Sequence, residues 1–209
     1  MKSRNSKIIV LLLLIGLFLT GCGKTTDNDT KKPSNDNQGQ TDQNENKKLK
    51  IVDTSSKSRP YAVMINNISV ARPLQSGLQD AYLMYEIIVE GGITRYMALF
   101  MDQNTTRIGS IRSARHYFLD YALENDAIYV HHGQSPQAQS DFSALGVDRI
   151  VVDNSKTGWR DKSLNVASEH TLFTSIEKLN NGLGSKRTTR NNNLLLNYSV
   201  DEIDMANLD

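Results

Sequence analysis

A sharp change in composition near residue 50 limits what this chain can fold into. Residues 23–50 are mostly Lys, Asp, Asn, Gln, Thr and Ser, with no aromatic residue and one large aliphatic residue, Leu49. Such a segment cannot bury enough apolar surface to offset the conformational entropy lost on folding. We therefore predict a disordered tether over residues 22–50, with a reach of about 30 Å, followed by one folded domain over residues 51–190.

The residues before the tether have the pattern of a bacterial export signal. A basic amino terminus precedes an apolar run over residues 8–19, which is shorter than the roughly 20 residues of a membrane span. The sequence Leu19-Thr20-Gly21-Cys22 then resembles the lipobox at which lipoprotein signal peptidase cleaves. We predict that residues 1–21 are a signal peptide and that Cys22 becomes the lipid-modified first residue of the mature protein. The alternative is an ordinary secretory signal followed by a chance cysteine.

Charge and cysteine content indicate how the protein is attached and held together. Three of the 24 Lys and Arg residues precede Cys22, so 21 remain against 23 acidic residues. This balance gives no reason to expect nucleic acid as a partner, since that would call for a basic face. A diacylglyceryl group on Cys22 is sufficient for stable anchoring, so we expect the protein on the extracytoplasmic face of the cell membrane. Because Cys22 is the only cysteine, the folded domain must be held by its apolar core.

Residues 51–190 alternate apolar runs with turn residues in a way that predicts a mixed α/β fold. Two apolar runs, 82–90 and 93–101, are joined by Gly91-Gly92, which is typical of an antiparallel hairpin. Periodicity predicts further strands over 61–65, 127–132 and 147–152, and helices over 113–124, from Pro136 to Gly146 and over 172–180. The predicted architecture is a mixed sheet layered with helices, similar to a ββα sandwich.

The predicted hairpin carries the first group of candidate functional residues. If Gly91-Gly92 is a two-residue turn, Glu86, Glu90 and Arg95 share one face of the sheet. Two carboxylates beside a guanidinium suit general acid/base chemistry or the capture of a polar ligand. The alternative is a solvated face with a weak surface ion pair.

The second group lies in residues 111–115, where Arg112 and Arg115 flank a predicted helix start capped by Ser113. Cations at this position oppose the helix macrodipole, so local stability does not explain them. Recognition of a carboxylate or phosphate would explain both arginines, with help from the helix amides. The alternative is that they pair with acids of the domain.

The histidines do not form a metal-binding pattern. His131 and His132 are neighbours on a predicted strand, so their side chains point to opposite faces, and His116 and His170 are isolated in sequence. We therefore predict no metal site and no cofactor. Residues 133–137, with Ser135 at the centre, begin like a nucleophile elbow but lack its final glycine, and a role as a helix cap explains Ser135.

Several ordered motifs of the folded region together resemble the YerB-type bacterial lipoproteins. They are RPYAVMINN (59–67), ARP (71–73), QSGL (75–78), YE (85–86), VEGGITR (89–95), IRSAR (111–115), YVHHG (129–133), SPQA (135–138) and EHTLFTS (169–175). The resemblance implies an envelope lipoprotein with an α/β amino-terminal domain, and it implies no activity, because the family is itself a domain of unknown function. Since family members usually continue into a second domain, we expect residues 191–209 to be a poorly packed stub of that domain.

The motifs that carry the resemblance contain polar residues that a core would not demand, which favours a functional cleft over a solvated face. With Glu86 added, the predicted ligand-binding residues are Glu86, Glu90, Arg95, Arg112, Arg115, His131 and His170. We expect a non-catalytic ligand-binding or assembly module that accepts an anionic group of a wall polymer or an envelope protein. The alternative is an envelope hydrolase or transferase with Glu90 and His131 or His132 as acid and base, which requires that burial raise the pKa of Glu90.

Overall fold

The computed structural model describes residues 51–199, so the predicted signal peptide, Cys22 and the tether lie outside the described residues. The mixed α/β fold predicted from the sequence is confirmed. The strands are β1 (Tyr61–Asn66), β2 (Leu83–Ile88), β3 (Thr94–Phe100), β4 (Ile108–Gly109), β5 (Ile128–His131), β6 (Arg149–Val151), β7 (Trp159–Arg160) and β8 (Leu172–Thr174). The helices are α1 (Leu119–Glu124), α2 (Pro136–Ala144) and α3 (Ile176–Asn181).

The main sheet has five strands in the order β2-β3-β1-β5-β6. Its central strand β1 runs antiparallel to β3 and parallel to β5, and β5 runs parallel to β6. Every residue of β1 is buried, which explains why its sequence is apolar on both faces rather than alternating. Asn66, the last residue of β1, and Asn67, which follows it, are buried and bring polar groups to the carboxyl end of this strand.

Helices cover one face of the main sheet. Met64 of β1 and Met97 of β3 point to this face and belong to the same core as Phe118, which precedes α1, and Phe142 of α2. The cap of α2 is as predicted, because the Ser135 hydroxyl accepts a hydrogen bond from the backbone N–H of Ala138 at 3.2 Å. These contacts make α1 and α2 one outer layer of the domain.

A second, smaller sheet covers the opposite face, in the order β4-β8-β7. Val63 and Ile65 of β1 pack in one core with Ile108 of β4, Leu172 of β8 and Leu179 of α3. The helix predicted over 172–180 is therefore wrong at its start, because residues 172–174 pair with both neighbouring strands and α3 begins only at Ile176. The domain thus has three layers. They are α1 with α2, the main sheet, and the small sheet with α3.

The hairpin between β2 and β3 has a different register from the predicted one. Ile87 lies opposite Arg95, and the Val89 N–H donates to the Ile93 carbonyl at 2.7 Å, so the connection is longer than two residues. Its turn has Gly91 at φ 75° and Gly92 at φ 70°, a conformation that glycine adopts without strain. A shift of one residue moves a side chain to the other face of a sheet. The prediction that Glu86, Glu90 and Arg95 share one face is therefore wrong.

The helix predicted over 113–124 is shorter in the structure. It is α1, which begins at Leu119 after a single 3-10 turn over His116–Phe118, and Ser113 caps nothing. Residues 111–115 lie instead at the carboxyl ends of β1 and β5. The Arg112 N–H bonds to the carbonyl of Met64 in β1, and the Ile111 N–H bonds to the carbonyl of Leu172 in β8. The predicted contribution of helix amides to anion binding is therefore wrong.

The two ends of the domain meet beside the amino end of β1. The Arg59 N–H donates to the Thr188 carbonyl at 2.7 Å, and the Arg190 N–H donates to the Lys57 carbonyl at 2.6 Å. We call this pairing of residues 57–59 with 187–190 the terminal clasp. Inside it, the Arg59 guanidinium forms ion pairs with Asp126, at 3.2 Å, and with Asp148.

Beyond the clasp, residues 191–199 form no helix or strand. Leu194 and Tyr198 contact the core on the helical face, whereas Leu195 and Leu196 are exposed. Residues 200–209 lie outside the described range. Within residues 51–199, none of the helices has the length and hydrophobicity that crossing a membrane requires.

Candidate functional site

The segment 111–115 crosses the carboxyl ends of two parallel strands. The Arg112 N–H donates to the carbonyl of Met64 in β1 at 2.9 Å, and the Arg112 carbonyl accepts from the N–H of His132, just after β5, at 3.1 Å. One residue pair further along, the Ala114 N–H donates to the Gly133 carbonyl at 3.0 Å. In open α/β sheets, ligands bind at this edge, outside the carboxyl ends of the parallel strands.

Arg95 lies at the same edge, at the start of β3 and opposite Asn66 of β1. Only 5% of its surface is exposed. Its guanidinium donates a hydrogen bond to the Ser113 carbonyl at 2.6 Å. Within residues 51–199 no carboxylate lies within ion-pair distance of it. A buried cation without a directly bound acid is costly, because burial removes its hydration, and Glu90 acts on Arg95 only from beyond ion-pair distance.

Three arginines act on one another at this edge. Burial, together with the charges of Arg115 and Arg112, lowers the pKa of Arg95 to about 10. We call Arg95, Arg112 and Arg115 the arginine cluster. The sequence-based prediction placed all three in the site, and the structure brings them together by a different geometry from the predicted one.

The other two arginines of the cluster each bind one glutamate. Arg115 Nε lies 2.6 Å from a carboxylate oxygen of Glu90, and Arg112 Nη1 lies 3.1 Å from one of Glu169. The bond to Arg115 lowers the pKa of Glu90, and the bond to Arg112 lowers the pKa of Glu169. Both glutamates are therefore carboxylates over the whole physiological pH range.

His170 connects the cluster to the carboxyl end of β1. It is 4% exposed, its Nδ1 lies 2.9 Å from the side-chain amide nitrogen of Asn66, and its Nε2 lies 3.3 Å from Glu169. Because the amide nitrogen donates to Nδ1, the ring proton is on Nε2 and faces the carboxylate. Sequence analysis missed Asn66 and Glu169, although both lie within the motifs that carry the family resemblance.

The predicted residues Glu86 and His131 lie apart from the cluster. Glu86 accepts hydrogen bonds from Thr94, at 2.6 Å, and from Asn67, at 3.2 Å, on the face of the sheet opposite Arg95. His131 is fully buried, its Nδ1 faces the Gly133 carbonyl at 2.8 Å, and burial lowers its pKa to about 4. The hydrogen-bonding partners of Glu86 and His131 therefore lie outside the arginine cluster.

His132 points to the other face of β5, as predicted. Its Nδ1 lies 2.7 Å from the Val152 carbonyl, and its Nε2 lies 3.3 Å from the guanidinium of Arg160. Among the described residues, Glu90 forms its ion pair with Arg115 and none with either histidine of β5.

Two buried polar groups near the cluster have no hydrogen-bond partner among the described residues. They are the Nε of Arg112 and the hydroxyl of Tyr129. The charges of Arg95 and Arg115 act on the Tyr129 hydroxyl, which places it near them. The Arg115 backbone also lowers the pKa of the Tyr129 hydroxyl, but the geometry of the two groups is not that of a hydrogen bond. Unsatisfied buried polar groups are uncommon in native proteins, so two of them near the arginine cluster indicate a candidate binding site at this end of the sheet.

A cavity of about 200 Å³ lies elsewhere, beside the amino end of β1, and is lined in part by Tyr61, Asp102 and Asn180. It does not include the arginine cluster. Residues 51–199 contain no group of three or more His, Cys, Asp or Glu side chains arranged to hold a metal ion.

A family model described as "Protein of unknown function (DUF3048) N-terminal domain" matches residues 48–189. The chain belongs to the DUF3048 family. Among its relatives is a Bacillus subtilis (strain 168) protein named "Putative lipoprotein YerB", with which it is 36% identical over 154 residues. That match covers 72% of this DUF3048 chain and 46% of the Bacillus protein.

A crystal structure of the YerB protein from Bacillus subtilis has the same fold. The match has a TM-score of 0.60 at 35% identity and covers 66% of this chain and 48% of the crystallised one. The DUF3048 chain thus spans about half the length of the relatives it matches. The resemblance to the YerB-type family inferred from the motifs is confirmed.

Proposed function

We propose that this chain is a lipid-anchored protein of the bacterial cell envelope whose folded domain binds an anionic group through Arg95, Arg112 and Arg115. The name of the Bacillus relative supports the envelope assignment, because that protein is itself called a lipoprotein. The basic and apolar amino terminus that ends at Cys22 supports it independently.

The burial of Arg95 without an acidic partner is the observation that carries the binding proposal. A domain under selection for stability alone would place an apolar side chain there, since replacing buried charge by packed apolar groups is often neutral or stabilising. Arginine is suited to this position if an external carboxylate or phosphate completes the site, because its planar guanidinium binds such groups through two parallel hydrogen bonds.

A binding module is favoured over a hydrolase or transferase by the environment of Glu90. A catalytic acid at neutral pH needs a raised pKa, whereas Arg115 lowers the pKa of Glu90. Of the two histidines named with it, His131 is fully buried with its ring against Phe142, and the ring nitrogens of His132 face the Val152 carbonyl and Arg160. The proposed ligand is therefore held, and not cleaved, at an anion-accepting edge of the sheet, as part of a wall polymer or of another envelope protein.

Titration calorimetry of the purified full chain with soluble wall fragments tests the binding proposal. We expect heat of binding with the parent and a loss of affinity of at least about tenfold for Arg112→Ala, since charged hydrogen bonds contribute about 1.5–3 kcal/mol. Arg107→Ala is a matched control, because Arg107 pairs with Asp161 and lies over the Phe173 ring of the small sheet. Equal weakening by both variants, or none by Arg112→Ala, would refute the assignment of this site.

Fractionation of cells that express Cys22→Ala tests the anchoring proposal separately. We expect the parent in the membrane fraction and the variant released from it, because the lipid chains provide the attachment. A variant that remains as firmly bound as the parent would show that Cys22 is not the anchor.

A further inference from the structure

Two exposed glutamates occupy the arginine cluster from the solvent side. The side chains of Glu90 and Glu169 are 62% and 56% exposed, whereas those of Arg115 and Arg112, which they bind, are 18% and 22% exposed. The carboxylates therefore lie between the guanidinium groups and water. Any anion that reaches the cluster from solvent must compete with them.

Each glutamate uses only part of what its arginine offers. Glu90 and Glu169 each contact their arginine through a single oxygen, the other oxygen of Glu169 lies 3.3 Å from His170 Nε2, and the buried Nε of Arg112 has no partner among the described residues. A guanidinium has five N–H donors and binds an oxyanion best through two parallel hydrogen bonds. The present pairs therefore leave donors available for a ligand that can make more bonds.

Breaking either ion pair costs little free energy. An ion pair with an exposed partner contributes little stability, because water solvates the released carboxylate. Glu90 also begins a turn with two glycines, Gly91 and Gly92, around which a side chain would meet no atom within 4 Å. This turn has room to move aside without disturbing the core.

We infer that Glu90 and Glu169 are placeholders that a ligand's oxyanion displaces. The inference rests on the proposed anion-binding function. The incoming group is a compact oxyanion, phosphate or carboxylate, because Arg95 is too deeply buried for a broad anionic surface to reach it. It takes the donors of Arg112 and Arg115 and provides the directly bound acid that Arg95 lacks among residues 51–199, while the two glutamates move into solvent.

Removing a placeholder carboxylate should therefore strengthen binding. The probes are inorganic phosphate and acetate, titrated by calorimetry into the purified full chain in detergent. We expect Glu90→Gln and Glu169→Gln each to raise the affinity for at least one probe by about two- to fivefold, the equivalent of one exposed ion pair. The probe that responds identifies the chemistry of the ligand group.

Glu124→Gln is the matched control, because Glu124 is also an exposed acid but accepts a hydrogen bond from Tyr85 and pairs with no arginine among the described residues. It removes the same charge from the domain and should leave the affinity unchanged. Melting temperatures of all three variants establish that they are folded.

The possible results separate this inference from the proposed function. If the parent binds a probe and neither glutamine variant binds it more tightly than Glu124→Gln does, the placeholder role is wrong and the anion site stands. The anion site itself is refuted if no protein binds either probe. This comparison includes the parent, Glu90→Gln, Glu169→Gln and the variant that carries both substitutions.

Discussion

His131 lies against Phe142, with their ring centroids 5.1 Å apart and their planes inclined by 27°. This contact keeps the imidazole in the core on the helical face of the sheet, and burial lowers its pKa from 6.5 to about 4. The unfolded chain therefore binds a proton at this residue between those two pH values, and the folded chain does not.

The first prediction follows from this difference in proton binding. The stability that His131 contributes is complete above about pH 6.5 and is lost as the pH falls toward 4, by roughly 3 kcal/mol in all. Urea unfolding at several pH values should show a steeper pH dependence for the parent than for His131→Phe. Equal slopes for the parent and His131→Phe would contradict the assignment.

Replacing Arg95 by methionine should separate stability from binding. Methionine has a similar length and no charge, so we expect the free energy of unfolding to stay the same or to rise by about 1 kcal/mol, while anion binding is lost. Chemical denaturation and calorimetry measure the two quantities. A fall in stability of several kcal/mol would show instead that Arg95 serves the fold.

The cap of α2 makes Ser135 a structural residue. Ser135→Ala should lower the free energy of unfolding by about 1 kcal/mol, because the N–H of Ala138 loses its hydrogen-bond acceptor. Ser135→Asp, which restores an acceptor, should recover most of the loss. Ser140→Ala, in the exposed middle of the same helix, should change stability by less than about 0.5 kcal/mol.

The terminal clasp depends on Arg59 far more than on Arg187, although both bind Asp126. The Arg59 side chain is 5% exposed and that of Arg187 is 38% exposed. Arg59→Ala leaves the backbone carbonyls of Asp126 and Ala127 without their charged donor and also removes a buried guanidinium from between two carboxylates, so it should lower the free energy of unfolding by about 3 kcal/mol. Arg187→Ala should cost about 1 kcal/mol or less, and comparable losses would contradict this account.

The long apolar runs were sufficient to predict the main sheet. Strands β1, β2, β3, β5 and β6 all lie within or close to the predicted ranges, because each is bounded by turn residues and has at least one buried or half-buried face. The small sheet could not be predicted, since β4 and β7 have two residues each and show no periodicity. Only their pairing with β8 in the folded chain defines them as strands.

The candidate site was predicted in its residue types and not in its arrangement. Arg112 and Arg115 were predicted as cations that a helix start does not explain, and Arg95 was predicted from its expected position beside Glu86 and Glu90. Their true partners could not be read from the sequence, because Glu90 and Arg115 are 25 residues apart and Arg112 and Glu169 are 57 apart. The face that Arg95 occupies depended on the length of one turn, and a change of one residue reversed it.

The terminal clasp and the arginine cluster lie at opposite ends of the central strand β1. A molecule held by the cluster and a chain entering at residue 51 would therefore pull along the axis of this strand. The hydrogen bonds that join β1 to β3 run perpendicular to that axis, and six residue pairs connect the two strands. Such a force loads these bonds together in shear rather than opening them one after another, so the domain is arranged to resist tension between the predicted anchor and the proposed ligand.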